Sequence, residues 1–454
     1  MRKATGRKIA FVGGGGVRTP LVIFGVNEAA DAIGASEIVL FDPDRERVAM
    51  IAALGQAVVR REGGSLAVRV SDSIEETVDG AEFVLNSIRV GGVSARAHDE
   101  RVAIQHGYPG QETTGPGGAA MALRTVPIAI EQARKVHRHA PDAWLINFTN
   151  PAGLITQAIT EHTDARVVGI CDTPTELLHR IASALGAEQS DVHCEYLGLN
   201  HLGWVRKITL RGEDVTEKIL ADDPTLSRLY SVPLFDHALI RALRLIPTEY
   251  LFFYYSRQRA LANQLRQGST RGAEVERLNE DLFRKLAVTL ASGDDHAAIG
   301  AYVHYLNVRS GSYMALEGRG DLKGQDPSEY EDPFRAASGY HRIALDVMKA
   351  LSGDHDQRVI VNTRNAGAID GICDSDIVEV PCRIRSGAIT PEACGALPAA
   401  VRGLVLAVKE YERALIEAAV TGSEQLARKA FLLNPAIGEW EPSEPLLRDL
   451  ITTA

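Results

Sequence analysis

The sequence predicts an α/β protein in which a doubly wound parallel sheet is followed by an α+β domain. Short apolar segments alternate with helical ones, beginning with residues 8–12 and 37–41 on either side of one helix, and this alternation is typical of parallel βαβ units. From about Asp191 the pattern changes to paired strands and longer helices. We therefore expect two domains, covering residues 1–190 and 191–454.

Composition narrows the class of protein. The 454 residues carry a net charge of −10, with 45% hydrophobic and 24% charged residues, as expected of an ordinary globular protein. The negative charge argues against a nucleic-acid or anionic-membrane partner, and no apolar run reaches the roughly 18 residues of a membrane span. The N-terminus has no signal-peptide pattern, so a cytoplasmic location is expected. Five cysteines without a C-x-x-C pair predict neither a disulfide framework nor a closed zinc site.

Four glycines follow the first strand, and the second strand ends at Asp42. In a dinucleotide-binding unit, such glycines let the backbone approach a pyrophosphate at a helix N-terminus, and the acid binds a ribose hydroxyl. The motif is imperfect, because Arg18 or Thr19 stands where a third glycine is expected. Asp42 favours NAD, although Arg45 and Arg47 leave NADP open. The predicted cofactor-binding residues are Gly13, Gly14, Gly15, Gly16, Val17, Asp42 and Arg45.

The segments beyond the strand ends hold the candidate site, because ligands of parallel sheets bind at the carboxyl ends of the strands. Residues 107–118 are too glycine-rich for a helix and too polar for a core strand, so we expect a functional loop. The predicted strand at 144–149 is followed by Asn150 and Pro151. This pair fits either the hydroxyl-oxidising site of a dehydrogenase or an ordinary helix N-cap.

A thiol and an imidazole stand at two of the predicted turns. The buried strand at 167–170 ends at Cys171 and Asp172, and His201 lies in a turn between two strands of the second domain. Sulfur, nitrogen and oxygen ligands from different loops suit a borderline divalent metal. The alternatives are a Cys-His nucleophile pair and an inert buried thiol beside a turn histidine.

The second part of the sequence has further candidate features. Residues 247–255 are rich in aromatic side chains, which either pack on a helix face or supply a tyrosine base, and such a base requires nearby positive charge. Arg271 is either an anion ligand or a solvated surface group. Residues 318–332 are expected to form a charged surface loop, with helices at 278–292 and 398–433. Strands are predicted at 193–199, 203–210, 358–362 and 376–381.

Taken together, these segments resemble glycoside hydrolase family 4, the NAD- and divalent-metal-dependent glycosidases. The resemblance is most specific in the glycine-rich stretch and the Cys/His pair. The segments that carry it are 12–16, 89–96, 110–118, 124–125, 147–153, 198–204, 362–365 and 378–382. The segments at Arg89 and Gly110 are most similar to the 6-phospho-β-glucosidases of the family. Asp172 departs from them and is similar to the 6-phospho-α-glucosidase branch, so the anomer stays open.

The resemblance implies a Rossmann-like first domain of the lactate and malate dehydrogenase type and hydrolysis of 6-phospho-glucosides by an enzyme that is a homodimer or homotetramer. In this family NAD oxidises the sugar 3-hydroxyl, a base removes the acidified C2 proton, and the metal stabilises the enediolate. The C1 substituent then leaves, water adds, and NADH reduces C3 again, which is the NAD-dependent exception to the two-carboxylate scheme. The rival interpretations are a net NAD-dependent dehydrogenase of a sugar or hydroxy acid and a non-catalytic nucleotide-sensing protein.

The resemblance also implies a role for each candidate residue. The assigned residues are Cys171 and His201 as ligands of Mn²⁺ or another divalent metal, Tyr250 as base, Asp172 as general acid, Glu112 as the residue that tunes the tyrosine, and Arg96, Asn150, Asn200 and Arg271 as substrate-binding residues. Tyr250 is preferred over Tyr254 and Tyr255, because Arg271 follows it at about the family's spacing. Arg271 is expected to help hold the 6-phosphate.

Overall fold

The first half of the chain alternates strands and helices, as predicted. The computed structural model describes residues 6–319, 332–336, 339–353 and 356–451. The strands of the first half are β1 Arg7–Val12, β2 Ala35–Phe41, β3 Ala67–Val70, β4 Ala81–Asn86, β5 Trp144–Asn147 and β6 Arg166–Gly169. Its helices are α1 Thr19–Glu28, α2 Ala30–Ile33, α3 Arg45–Arg61, α4 Ile74–Val78, α5 Gly92–Gln105, α6 Gly115–His139, α7 Ala152–His162 and α8 Thr173–Ala184.

The six strands of the first half are parallel and lie in the order β3-β2-β1-β4-β5-β6. The chain builds outward from β1 in both directions, since β2 and β4 flank it. Open α/β sheets bind ligands beyond the strand ends at such a switch point. The four-glycine turn follows β1 and therefore lies at this position. The predicted doubly wound sheet is confirmed.

The second half of the chain combines a hairpin, long helices and further strands. Its strands are β7 Val192–Leu199, β8 Leu202–Leu210, β9 Glu213–Asp214, β10 Ile246–Pro247, β11 Gln357–Arg364, β12 Ile369–Asp370, β13 Ile377–Arg385, β14 Ala388–Pro391 and β15 Gly395–Ala396. Its helices are α9 Thr216–Ala221, α10 Asp223–Arg228, α11 His237–Leu243, α12 Phe252–Tyr255, α13 Arg257–Gln267, α14 Arg271–Ala291, α15 Asp295–Gly311, α16 Ala315–Arg319, α17 Tyr340–Ser352, α18 Ala399–Thr421, α19 Glu424–Leu433 and α20 Ser443–Ile451. The predicted antiparallel pairing of β7 with β8 is confirmed.

Three strands of the second half extend the parallel sheet. β11 pairs antiparallel with β6, β13 pairs with β11, and β14 lies at the edge. Within the described residues, one nine-stranded sheet is thus built from both halves of the chain. The sheet therefore crosses the expected domain boundary at residue 190. The division into domains 1–190 and 191–454 stays a prediction.

Helices cover both faces of this sheet, and its central strands accordingly carry continuous apolar runs. Residues 9–12 of β1 and 83–86 of β4 are all buried. Helices of both halves pack against the same core, for example α17 against α1 and α18 against α6. Among the helices of the described residues, none is both long and apolar enough to span a membrane.

The prediction of a loop over 107–118 is wrong for its last residues, because α6 begins at Gly115. A Cβ atom at Gly117 would lie 2.2 Å from the carbonyl oxygen of Gln111, and one at Gly118 would lie 2.4 Å from that of Thr113. The glycines therefore permit close packing of the loop on the first helical turn rather than a long irregular segment.

The expectation of a charged surface loop at 318–332 is tested only at its ends. Residues 318 and 319 belong to α16, and Asp332 comes just before a short turn. Residues 320–331 lie outside the described part of the chain.

Candidate active site

Cys171 and His201 come together at the carboxyl end of the parallel sheet. Cys171 follows β6 by two residues and is 1% exposed. His201 forms the β7–β8 turn and has a positive φ of 60°, a left-handed conformation that is uncommon for residues other than glycine. The Sγ atom of Cys171 lies 3.4 Å from the Nε2 atom of His201. The two predicted metal ligands are therefore neighbours in the fold.

This pair fits a divalent metal ion. A separation of 3.4 Å matches two donors that each lie about 2.0–2.3 Å from one ion. The Nδ1 atom of His201 is buried without a partner, so the ring is held by packing rather than by a second hydrogen bond. Within the described residues, no cluster of three or more His, Cys, Asp and Glu side chains is arranged to hold a metal. The candidate ligand set is thus one thiolate and one imidazole.

Burial shifts the protonation of both candidate ligands. It lowers the pKa of His201 to about 4, so the imidazole is neutral near pH 7 and able to bind a metal. It also raises the pKa of Cys171 well above its usual value, and the charges of Glu379 and Asp172 add to this rise. A cation beside the sulfur is therefore needed to stabilise the thiolate.

Tyr250 packs directly on the imidazole of His201. The two rings are nearly parallel, with centroids 3.8 Å apart and an interplanar angle of 13°. Tyr250 lies in a 3₁₀ turn, Glu249–Leu251, that follows β10, and β10 pairs with β8 beside the His201 turn. Tyr254 and Tyr255 lie further on, in α12. Burial, followed by the charges of Glu112 and Glu249, raises the pKa of Tyr250 well above its usual value.

Glu112 is held by two arginines at the loop before α6. Its Oε2 atom accepts a hydrogen bond from Arg89 Nη2 at 2.7 Å and forms an ion pair with Arg96 Nη1 at 2.8 Å. Burial alone would raise the pKa of Glu112, but Arg96, Arg89 and Arg309 lower it far below its usual value. The carboxylate is therefore fixed in its ionised form, and its charge reaches both His201 and Tyr250.

Asp172 forms an ion pair with Arg18, across from the glycine turn. The distance from Arg18 Nη1 to Asp172 Oδ2 is 3.3 Å, and the guanidinium lies 4.3 Å from the centre of the Tyr340 ring. Burial raises the pKa of Asp172, while Arg18 opposes the rise. Asp172 does not use its side chain to cap α8, so the carboxyl group is available for contacts at the strand end.

The two predicted substrate-binding asparagines have different environments. The alternative of an ordinary N-cap at Asn150 is wrong, because α7 begins at Ala152 with Pro151 in the N-cap position. The Oδ1 atom of Asn150 is buried without a partner, which marks it as free to accept a hydrogen bond from a ligand. Asn200 instead has two protein partners, since its Nδ2 donates to Glu379 at 3.1 Å and its Oδ1 accepts from the backbone of Gly153 at 3.3 Å.

Arg271 is buried at the start of α14, where protein groups occupy its guanidinium. It donates to Ser312 Oγ at 2.6 Å and also contacts Glu274 and the carbonyl oxygen of Arg309. The next residue, Gly272, donates its N–H to Glu100, the same glutamate that pairs with Arg96. Arg271 is therefore connected to the Glu112 cluster, but these contacts do not leave its guanidinium free.

The glycine turn fits a dinucleotide phosphate. Gly13 has a φ of 82°, and a Cβ atom there would lie 2.3 Å from the carbonyl oxygen of Ser87, so only glycine is tolerated. A Cβ atom at Gly16 would meet no protein atom closer than 3.4 Å. The hydroxyl of Thr19, at the first position of α1, is buried without a partner. This turn thus brings together backbone that a ligand could approach at Gly16, the N-terminus of α1 and the unpaired hydroxyl of Thr19.

The remaining predicted cofactor residues surround this turn. Asp42 accepts a hydrogen bond from the N–H of Gly15 at 3.1 Å, which places the end of β2 beside the turn. The carbonyl oxygen of Val17 accepts from Tyr302 at 2.7 Å. Arg45 reaches away from them, because its guanidinium donates to the carbonyl oxygens of Ser71 and Asp72.

Several charged and tyrosine side chains of this region were not predicted as site residues. Arg18 occupies the place of the third motif glycine, and Glu379 is a charged residue inside the buried strand β13, so both carried a signal in the sequence. Arg309 lies in α15 and Tyr313 follows that helix, and both are brought near the site by the folding of the chain. No local pattern distinguishes them from other helix residues.

Comparison with known proteins decides the family. The model of the family 4 glycosyl hydrolases matches residues 8–187, and that of the family 4 glycosyl hydrolase C-terminal domain matches residues 196–437. The chain belongs to glycosyl hydrolase family 4. A relative from this family, a probable 6-phospho-beta-glucosidase of Bacillus subtilis, is 31% identical over 98% of this chain and 95% of its own length.

Solved structures of family 4 enzymes share the whole fold. The 6-phospho-beta glucosidase of Thermotoga maritima, solved with manganese, NAD+ and glucose-6-phosphate, has a TM-score of 0.80 at 28% identity over 98% of this chain and 97% of its own. A 6-phospho-alpha-glucosidase from gut microorganisms, in complex with NAD and glucose-6-phosphate, has a TM-score of 0.78 at 25% identity over 99% and 98% of the two chains. A lactate dehydrogenase of Eimeria maxima, at 16% identity and a TM-score of 0.51 over 93% and 97% of the two chains, shares the fold alone. The predicted dehydrogenase-like fold is confirmed.

Proposed function

We propose that the protein is an NAD- and divalent-metal-dependent glycosidase of 6-phospho-glucosides, with the β anomer as its substrate. The observation that carries this proposal is the Cys171–His201 pair, which lies under Tyr250 at the end of the nucleotide-binding sheet. One family 4 relative is solved with manganese, NAD+ and glucose-6-phosphate and another with NAD and glucose-6-phosphate, which supports both cofactors and the phosphorylated substrate.

When bound, NAD supplies reversible oxidation of the sugar 3-hydroxyl, and the metal ion supplies positive charge beside the sugar oxygens. Tyr250 is proposed to take the proton from C2, since its ring lies against a metal ligand and a nearby cation favours the tyrosinate. Arg89 and Arg96 keep Glu112 ionised, and its negative charge acts on Tyr250. Because this oxidation is reversible, a complete catalytic cycle would consume no net oxidant.

Asp172 is proposed as the proton donor to the leaving oxygen. Burial raises the pKa of its carboxyl group, which favours a protonated acid. The same residue is the feature shared with the 6-phospho-α-glucosidase branch, so hydrolysis of the α anomer is the alternative specificity. Arg18 opposes protonation of Asp172, because the two side chains form an ion pair only when the carboxyl group is ionised.

Substrate contacts are proposed for Asn150, Asn200, Arg96 and Arg271. The unpaired Oδ1 atom of Asn150 supports the first of these, because a sugar hydroxyl would satisfy it. Phosphate binding by Arg271 requires its guanidinium to exchange a contact with Glu274 or Ser312 for the ligand. For the enzyme as a whole, we propose a cytoplasmic homodimer or homotetramer that binds neither nucleic acid nor membrane.

The direct test is release of p-nitrophenol from p-nitrophenyl 6-phospho-β-glucoside in the presence of NAD and Mn²⁺. We expect release on this substrate, slower release on its α anomer, and none on the unphosphorylated β-glucoside. Faster release on the α anomer would move the protein to the other branch, and no release on either phosphorylated substrate would overturn the phospho-sugar assignment.

A further inference from the structure

Glu379 is a buried carboxylate beneath the candidate metal site. It lies on β13 and is 1% exposed. Three side chains donate to it: Tyr196 at 2.6 Å to Oε2, and Asn200 at 3.1 Å and Asn362 at 3.0 Å to Oε1. This convergence of three donors fixes the carboxyl group in one place and orientation.

All three donors are neutral. Within the described residues, no lysine, arginine or histidine forms an ion pair with Glu379, and the charge that acts on it is the like charge of Asp172. Two other buried carboxylates do have cationic partners, since Glu412 pairs with Lys409 and Asp99 pairs with Arg124. An ionised carboxylate without a counterion is costly in a protein interior. The protein alone therefore leaves this negative charge uncompensated.

The position of Glu379 connects it to both candidate metal ligands. β13 is paired with β11 so that Glu379 faces Asn362, and Asn362 in turn faces Gly169 of β6, two residues before Cys171. The contact between those strands is close, because a Cβ atom at Gly169 would lie 2.8 Å from the Cβ of Asn362. The negative charge of Glu379 also acts on the Cys171 thiol.

The second connection runs through the β7–β8 hairpin. Asn200, which donates to Glu379, directly precedes His201, and Tyr196 belongs to β7 of the same hairpin. The left-handed backbone of His201 needs such support, because an unsupported residue would relax to an ordinary conformation. The carboxylate thus anchors the chain segments that carry both ligands.

We propose that Glu379 is the buried countercharge of the metal ion held by Cys171 and His201, and the positioning residue that fixes Asn200 and the His201 turn. This inference rests on the proposed metal dependence. Partners of metal ligands that do not touch the ion typically change its affinity about 10–100-fold when they are replaced. A negative charge at that position favours the divalent cation in addition to orienting its ligands.

The test is the affinity of the purified protein for Mn²⁺, measured without substrate from the electron paramagnetic resonance signal of free Mn²⁺. We expect Glu379→Gln to raise the Kd for Mn²⁺ about 10–100-fold, and Glu379→Asp, which keeps the charge, to bind more tightly than Glu379→Gln. Glu195→Gln is the matched control, since Glu195 lies on β7 next to Tyr196 but pairs with Arg206 at the surface. Its Kd should equal that of the wild type.

Thermal unfolding without metal provides a second readout. Glu379→Gln should unfold at or above the wild-type temperature, because it removes an uncompensated charge, and Mn²⁺ should raise its unfolding temperature less than that of the wild type. If Glu379 served only to stabilise the fold, Glu379→Gln would unfold below the wild-type temperature in the absence of metal. If Glu379→Gln does not fold, Tyr196→Phe tests the same carboxylate by removing its 2.6 Å donor, and its Mn²⁺ affinity should fall in the same direction.

Three results would overturn the inference. They are a Kd of folded Glu379→Gln within twofold of the wild type, an Asp variant as weak as the Gln variant, or an unchanged affinity in Tyr196→Phe. Absence of Mn²⁺ binding by the wild type would instead overturn the metal part of the proposed function, and this inference with it.

Discussion

At the scale of single residues, the chemistry depends on side chains whose protonation the fold has altered. Cys171 is buried and resists ionisation, His201 is held neutral, and Glu112 is held charged by arginines. Each state follows from burial and the nearest charges. The residue types were readable from the sequence, but their partners were not. Arg18 and Asp172, for example, are 154 positions apart.

Replacement of Cys171 tests the metal pair. Cys171→Ser keeps the size of the side chain but removes the sulfur ligand, so we expect activity on the phosphorylated β-glucoside to fall at least about 100-fold, with unchanged thermal unfolding of the metal-free protein. Cys194→Ser, at another buried thiol on β7, is the control and should keep full activity. A Cys171→Ser enzyme with wild-type rates would mean that the thiol is not a ligand of a catalytic metal ion.

Replacement of Asp172 tests its role as general acid. p-Nitrophenolate leaves without protonation, whereas a sugar alcohol needs a proton donor, so the two substrate types should respond differently to Asp172→Asn. We expect kcat on a 6-phosphorylated disaccharide to fall about 10²–10⁴-fold and kcat on the p-nitrophenyl substrate to change far less. Equal losses on both substrates would assign Asp172 to the Arg18 ion pair alone.

At the scale of elements, the strand and helix pattern of the first half was predictable from the alternation of apolar and polar segments. The start of α6 was not, because the close packing of residues 111 and 113 on Gly117 and Gly118 is set by the fold and leaves no helical pattern in this glycine-rich sequence. The N-cap assignment of Asn150 failed for a related reason. Helix α7 begins directly after Pro151, so Asn150 does not cap it, and the Oδ1 atom of Asn150 is buried without a partner.

The glycine turn provides a prediction at this scale. Because a Cβ atom at Gly16 meets no protein atom closer than 3.4 Å, Gly16→Ala should fold normally yet obstruct the approach of the NAD pyrophosphate. We expect unchanged thermal unfolding without NAD and an NAD dissociation constant raised about tenfold, a loss of about 1.4 kcal/mol. Gly300→Ala, in open space on α15, is the control. Wild-type NAD affinity in Gly16→Ala would place the pyrophosphate away from this turn.

At the scale of the whole molecule, the candidate site is built from both halves of the chain. The first half supplies Cys171 and Glu112, and the second supplies His201, Tyr250 and Glu379. The added strands β11 and β13 bring Glu379 under the end of β6 through two antiparallel pairings. Strand segments were predictable from the sequence, whereas their insertion into the first sheet was not, because pairing partners far apart in the chain leave no local pattern.

In the proposed reaction, NAD is used and regenerated within one catalytic cycle. The measurement that tests it most directly follows p-nitrophenol release and the near-ultraviolet absorbance of NADH together, with NAD supplied in an amount equal to the enzyme and Mn²⁺ present. We expect many product molecules per NAD and no accumulation of NADH. Stoichiometric NADH, or an oxidised sugar without release of p-nitrophenol, would contradict it and would identify the enzyme as a net dehydrogenase.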